Sequence, residues 1–253
     1  MAESRKFVAL SGAAGIALLA LTGGAVAGGF EGSVKDGPAP AREFSYSVTV
    51  TGTSDYVFRG VSQTNNSPTM QGAFDISYGI FYAGVWGTGV DGYEGTEVDW
   101  YAGFKPVWND FEFDFGAILY TYPGAAGTDL VEILELKAGV SKSFDKLGVG
   151  GIVYWSPDVN GYDYAVYEGA LSYELPTLHG FTPTISGLVG YVDNFEVSSD
   201  SYTYWNAGLS LGYDKFTFDF RYWDTDLDNS TCLGVGPSLC DERFVFSASV
   251  SLP

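Results

Sequence analysis

From residue 44 to residue 252 the chain alternates apolar and polar positions, and no helical period interrupts it. Phe111-Glu112-Phe113-Asp114-Phe115 and Phe216-Thr217-Phe218-Asp219-Phe220-Arg221-Tyr222 show the pattern most plainly. Successive side chains of a strand point to opposite faces, so each segment carries one face of Phe, Tyr, Val and Leu and one of charge, Ser and Gly. A period of 3.6 would mix the two sets. The alternation predicts twelve strands, at 44–58, 71–78, 80–88, 96–105, 110–121, 130–142, 147–155, 163–175, 181–192, 201–212, 215–223 and 242–252.

The connections alternate in length. One set is long (59–70, 89–95, 122–129, 156–162, 193–200 and 224–241), and the other is made of tight turns at Gly79, 106–109, 143–146, 176–180 and 213–215. An even number of antiparallel strands, with short turns at one end and long loops at the other, is the signature of an outer-membrane barrel. A soluble sandwich would bury its apolar face, whereas a membrane barrel turns that face to lipid. Aromatics at the strand ends favour the barrel. Tyr46, Tyr78, Phe81, Phe111, Tyr173, Phe181 and Phe216 lie near the short turns, and Tyr56, Trp155, Tyr191, Trp205, Tyr222 and Phe244 near the long loops, as two interfacial girdles would require. Ten residues tilted near 45° rise about 23 Å, close to the apolar band of such barrels. The expected fold is therefore all-β: a single closed antiparallel transmembrane barrel of about twelve strands.

The amino terminus changes the picture of where the chain goes. Arg5 and Lys6 precede an apolar run from Phe7 to Leu21, and Ala25-Val26-Ala27 fits a small-residue cleavage site. Residues 1–27 thus read as a cleaved signal peptide, too short in its apolar part to span a bilayer. Residues 28–43, rich in Gly, Ala and Pro, read as a flexible periplasmic linker, and 44–253 as the barrel. The net charge is −19, and removal of the signal segment leaves −20. So acidic a chain excludes nucleic acid as a partner and attracts cations. Cys232 and Cys240, exported into oxidising surroundings, predict a local disulfide.

Ser54-Asp55-Tyr56-Val57-Phe58-Arg59-Gly60-Val61-Ser62-Gln63 resembles the opening motif of the TorF-type porin family, which was earlier catalogued only as a conserved bacterial protein of unknown function. Gln71-Gly72-Ala73-Phe74-Asp75, Phe81-Tyr82-Ala83-Gly84-Val85-Trp86-Gly87, Val98-Asp99-Trp100-Tyr101-Ala102-Gly103 and Tyr222-Trp223-Asp224-Thr225-Asp226-Leu227 are similar to further family segments, as is the cysteine pair before the last strand. The resemblance implies an outer-membrane barrel of a Gram-negative bacterium and supplies no substrate. The chain departs from the usual pattern of such barrels in ending Val250-Ser251-Leu252-Pro253 rather than on an aromatic.

If the apolar face meets lipid, parity assigns the lumen. Asp55, Arg59, Asp75, Asp99, Glu112 and Asp114 point inward, as do Glu135, Lys137, Glu168, Asp219 and Arg221. With Glu97, Lys105 and Glu174 added, acids outnumber bases ten to four, a cation-favouring balance. A twelve-strand barrel of this tilt has a bore of roughly 10 Å at most, narrowed further by inward Tyr82, Trp86, Tyr101, Tyr154 and Tyr164. The lumen is then either a pore for small solutes or a space filled by paired side chains. Parity sets Asp55 and Asp75 opposite each other with Arg59 close by, a candidate constriction at the outer mouth. Asp224, Asp226 and Asp228 alternate as the start of a calcium loop does, but lack its glycine and its closing glutamate. No cofactor motif and no catalytic set is present: His179, the only histidine, sits in a short turn, with no Gly-x-Ser-x-Gly near any serine. The expected function is a porin for small, cationic or neutral solutes, monomeric and in contact with outer-membrane lipid. The alternatives are a non-conducting surface barrel with a role in adhesion or structure and, behind it, an interfacial hydrolase.

Overall fold

The structure is a computed structural model, and it describes residues 43–91, 95–123, 132–159, 162–195, 201–227, 232 and 237–253. The signal-peptide segment and nearly all of the linker lie outside the described residues. Twelve antiparallel strands form the wall: β1 Phe44–Thr53, β2 Thr69–Tyr78, β3 Phe81–Thr88, β4 Glu97–Phe104, β5 Phe111–Thr121 and β6 Ile133–Phe144, then β7 Leu147–Val159, β8 Tyr162–Glu174, β9 Thr182–Asn194, β10 Tyr202–Tyr213, β11 Phe216–Thr225 and β12 Arg243–Leu252. Each pairs with its sequence neighbours, and β1 pairs with β12 (Val48 with Leu252, Thr53 with Ser247), which closes the sheet on itself. Closure leaves no unpaired edge, the condition for a strand structure to survive in hydrocarbon.

Turn chemistry explains the short end. Gly79-Ile80, Asp145-Lys146 and Asp214-Lys215 are two-residue loops whose first residue has positive φ (60°, 56° and 51°). That backbone matches the twist of the strands it joins. The other end carries the longer connections, with one exception. The loop expected over 156–162 is largely wall, because β7 runs on to Val159 and β8 starts at Tyr162, with a register shift between Ser156 and Val159.

The faces fall as the alternation requires of a membrane barrel. Phe115 and Phe220 are 38 % and 50 % exposed on the outer surface, while Asp114 and Asp219 on the same strands form ion pairs inside. Outward Phe, Leu, Val, Tyr and Trp recur on every strand of the wall, from Phe44 and Val48 on β1 to Phe244 and Phe246 on β12. Val153, at the middle of β7, is one of these exposed residues. Val153→Arg should destabilise the barrel in lipid vesicles by about 2–4 kcal/mol, the cost of a cation at the bilayer midplane. Ser249→Arg, on the inner face of β12, should be tolerated. Chemical unfolding in vesicles measures both, and equal penalties would reverse the assignment of faces.

Candidate functional site

The wall was expected to include residues 54–58, but β1 ends at Thr53 and the chain turns inward. Thr53 Oγ1 donates to the Asp55 carbonyl (2.7 Å), and Ser54 N donates to Phe246 O as the last rung of the wall. Val57–Phe58 then pairs with Val61–Ser62 in a miniature hairpin lodged inside the barrel. Its tip is Arg59-Gly60, with φ of 48° and 84°, the two positive values of a type I′ turn. Asparagine is the usual residue at the first of these positions, and arginine there is held in a sparsely populated conformation. Gly60 is required twice over. Its φ is positive, and a Cβ would overlap the Thr225 methyl and crowd Tyr204.

The guanidinium at the tip explains why arginine occupies the strained position. Arg59 Nη2 donates to both carboxylate oxygens of Glu135 (2.8 and 3.0 Å), and Tyr202 OH donates to the Arg59 carbonyl (3.1 Å). Glu135 also accepts from Tyr120 OH (2.8 Å) and Ser156 Oγ (3.2 Å). The guanidinium lies over the rings of Phe58 and Tyr154, with centroids 4.5 and 5.2 Å away. Arg59 is 3 % exposed and Glu135 is not exposed at all. Tyr56, Phe58, Val61, Tyr120, Tyr154, Tyr164, Tyr202 and Tyr204 pack around this ion pair. The inserted hairpin and this cluster occupy the long-loop half of the lumen.

Asp55 anchors the base of the hairpin. It accepts from Ser62 Oγ and Thr64 Oγ1 (2.7 Å each) and pairs with Arg243 Nη1 (3.0 Å) at the start of β12. Arg243 Nη2 also donates to the Ser238 carbonyl (3.0 Å), which receives Asn66 Nδ2 as well (3.3 Å). Ser238 lies between Cys232 and Cys240, which form the expected disulfide. The disulfide loop therefore leans on the segment that enters the lumen.

These contacts correct the expected constriction. Asp55 and Asp75 do not face each other: Asp75 is opposite Ser47 across β1–β2 and takes the Tyr101 hydroxyl, whereas Asp55 lies beyond the end of the wall. Arg59 bridges neither of them. Tyr56, assigned to the outer girdle, is 5 % exposed inside and donates to Glu97 Oε1 (2.9 Å). Parity failed for each where the chain leaves the wall, because alternation describes a strand only while it remains in the sheet. Asp224 and Asp226 each accept from a backbone amide, Thr225 N (2.8 Å) and Thr203 N on the neighbouring strand (2.7 Å), so those two oxygens hold backbone. Asp228 lies outside the described residues.

Other charged residues of the inner face have partners along the wall. Lys137 Nζ meets Asp114 Oδ2 (2.8 Å), and Arg221 forks onto Asp219 (3.0 and 2.8 Å) and reaches Asn206 Oδ1 (2.7 Å). Lys105 and Glu112 pair loosely at 3.7 Å, a third exposed. Asp99 is fully buried, and Glu168 takes the Tyr204 hydroxyl. Three tyrosines share one device. Tyr204 on β10 crosses Gly190 on β9 to reach Glu168 on β8, Tyr101 on β4 crosses Gly84 on β3 to reach Asp75 on β2, and Tyr82 on β3 passes Gly103 on β4 to reach Asp114 on β5 (2.7 Å). Arg243 and this tyrosine–glycine–carboxylate step escaped the sequence reading. His179 sits at φ 51° in an exposed turn at the short-turn end.

Comparison with known proteins adds family and fold. Residues 35–252 match the family described as "Bacterial protein of unknown function (Gcw_chp)". No curated protein matches the chain by sequence. Among solved structures, the NanC porin superposes with a TM-score of 0.52 at 12 % identity, over 81 % of this chain and 99 % of that one. LpxR from Salmonella typhimurium gives 0.43 at 9 % identity over 81 % and 99 %, and a refined porin gives 0.40 at 12 % over 83 % and 100 %. Only the first likeness bears on the fold, and what the two share is the closed antiparallel barrel.

Proposed function

The chain belongs to the Gcw_chp family of bacterial proteins of unknown function, and we propose that it is a channel for small solutes in the outer membrane of a Gram-negative bacterium. In this reading the lumen favours cations and is shut, in the conformation described, by the first loop. The observation that carries it is the inverted arrangement of faces around a charged interior. Ten inward acids meet Arg59, Lys105, Lys137, Arg221 and Arg243, which leaves the interior negative. The stopper is a hairpin held by ion pairs at its tip and base. The likeness of residues 54–63 to the TorF-type porins supports the same reading. Outer-membrane lipid is the surrounding partner, and the barrel acts as a monomer.

One observation favours the non-conducting surface barrel instead: the complete burial of Glu135 and the near-complete burial of Arg59 across the lumen. Conductance in planar bilayers under a potassium chloride gradient separates the two. The expected result is small, intermittent conductance with a reversal potential on the cation side. Anion preference would overturn the charge argument. Silence in both the native chain and a variant with 55–66 replaced by a short Gly-Ser linker would favour the non-conducting barrel.

A further inference from the structure

Serines and threonines of the inner face fall into two sets by their access to water. On β12 and β1, Ser247, Ser249, Ser251, Ser47, Thr49 and Thr51 are half-buried. On β8, β9 and β10, Ser172, Thr184, Ser186 and Ser210 are buried. Depth does not explain the difference. Thr51 lies seven residues from the short-turn end of β1, whereas Ser210 lies three from that end of β10 and Thr184 two from that end of β9. One register row crosses from the first set to the second: Ser247 on β12, Asp219 on β11, Ser210 on β10 and Thr184 on β9. Ser247 is half-buried and the Asp219 side chain is 21 % exposed, but Ser210 and Thr184 fall to 3 % and 6 %. Arg221 spans the covered side, reaching from β11 to Asn206 Oδ1 on β10 (2.7 Å) and Ser186 Oγ on β9 (3.1 Å). Water thus reaches deep along β12 and β1 and is kept from the inner face of β8 to β10. Burial returns at Thr53 and Val245, the next inward residues, which lead into the Asp55–Arg243 pair at the base of the inserted hairpin.

We propose that solutes cross the lumen along this hydrated seam of β12 and β1, and that the seam suits small uncharged polyols. The acids at its margins are engaged. Asp75, opposite Ser47, takes the Tyr101 hydroxyl, and Asp219, opposite Ser247, is held by Arg221. Between them the seam offers hydroxyls, two of which bond each other, Thr49 Oγ1 to Ser251 Oγ at 3.1 Å. A hydroxyl both donates and accepts, so a row of them can replace the water around a solute that is itself made of hydroxyls. The carboxylates that would offset the desolvation of a cation there are already paired, while the net negative lumen still turns anions away. The proposal rests on the channel reading and narrows it to a route and a solute class.

The two cysteines of the chain are joined to each other, so a single introduced cysteine reports without background. Refolded Thr49→Cys, Ser249→Cys, Ser186→Cys and Ser210→Cys would be treated with a trimethylammonium-ethyl methanethiosulfonate and followed by mass. Thr49→Cys and Ser249→Cys should react at least about tenfold faster than the other two, because thiol reactivity follows exposure. Flux is read separately, as the swelling of vesicles in erythritol, with the variant that replaces 55–66 by a Gly-Ser linker as the open form. In that background, modification at Thr49→Cys or Ser249→Cys should stop most of the swelling. Thr49→Val combined with Ser249→Ala and Ser251→Ala should slow it at least about threefold, the worth of the lost hydrogen bonds. Equal labelling at the four positions would overturn the seam, and so would undiminished erythritol entry after complete modification. Undiminished entry without the three hydroxyls would overturn the polyol assignment. Rapid labelling at Thr49→Cys and Ser249→Cys, with neither erythritol entry nor conductance in the open form, would sink the channel reading and with it the crossing, while leaving the hydrated seam in place.

Discussion

Replacing Arg59 with asparagine is expected to raise the open probability of the refolded barrel by roughly a hundredfold. Removing one partner of a buried ion pair costs about 3 kcal/mol or more, because the other charge stays behind. That amount is roughly two orders of magnitude in a population ratio. The loss falls on the inserted state alone, since Glu135 is fully buried there and hydrated once the hairpin withdraws. Asparagine isolates the effect. Asn-Gly is the favoured pair for a type I′ turn, so the hairpin of Val57–Phe58 with Val61–Ser62 should form at least as well. Glu135→Gln should act in the same direction. Arg59→Lys should fall between, because an ammonium keeps the charge but lacks the planar guanidinium that lies over the Phe58 and Tyr154 rings. Single-channel recording in planar bilayers measures the quantity. Native-like conductance in a folded Arg59→Asn barrel would mean that the hairpin does not gate the lumen.

The same hairpin marks the limit of what the sequence made legible. The wall was readable because each strand turns one face to lipid and one to the lumen, and that constraint writes a period of two into the residues themselves. Phe111 to Phe115 and Phe216 to Phe220 could belong to little else. Residues 54–58 carry the same alternation, so nothing local reveals that the chain has left the sheet. The turn at Arg59-Gly60 is disguised by its first residue, whose side chain was selected for Glu135 rather than for the backbone. Arg243 was overlooked because its partner Asp55 lies 188 residues away, and no period encodes such a contact. On the wall strands Asp114 pairs with Lys137 and Asp219 with Arg221. Their pairings follow from register and from the inserted loop, which alternation does not specify. The long loop expected at 156–162 failed for the opposite reason: the bulge between Ser156 and Val159 lets turn-like residues remain in the wall.

Gly190→Ala should destabilise the barrel by about 3–5 kcal/mol, more than a methyl group would cost at most positions. An alanine Cβ there would overlap the Tyr204 ring, and Tyr204 is 1 % exposed, with little space to retreat. Overpacking accounts for about 1–3 kcal/mol of the loss. The rest comes from Glu168, which accepts the Tyr204 hydroxyl and would be left buried without it. Gly169→Ala, on neighbouring β8, is the control, since a Cβ there meets nothing within 4 Å. A double-mutant cycle separates this mechanism from a general intolerance of side chains on β9. In a Tyr204→Ala background neither clash nor hydrogen bond remains, so Gly190→Ala should then cost little, and the two changes should be strongly non-additive. Additive penalties, measured by chemical unfolding in vesicles, would mean that Gly190 serves the backbone rather than the passage of Tyr204. Tyr101 over Gly84 and Tyr82 past Gly103 have the same geometry, so Gly84→Ala and Gly103→Ala should couple to their tyrosines in the same way. The wall glycines are then the notches through which each tyrosine reaches a carboxylate two strands away, so that Glu168, Asp75 and Asp114 each keep a hydroxyl donor.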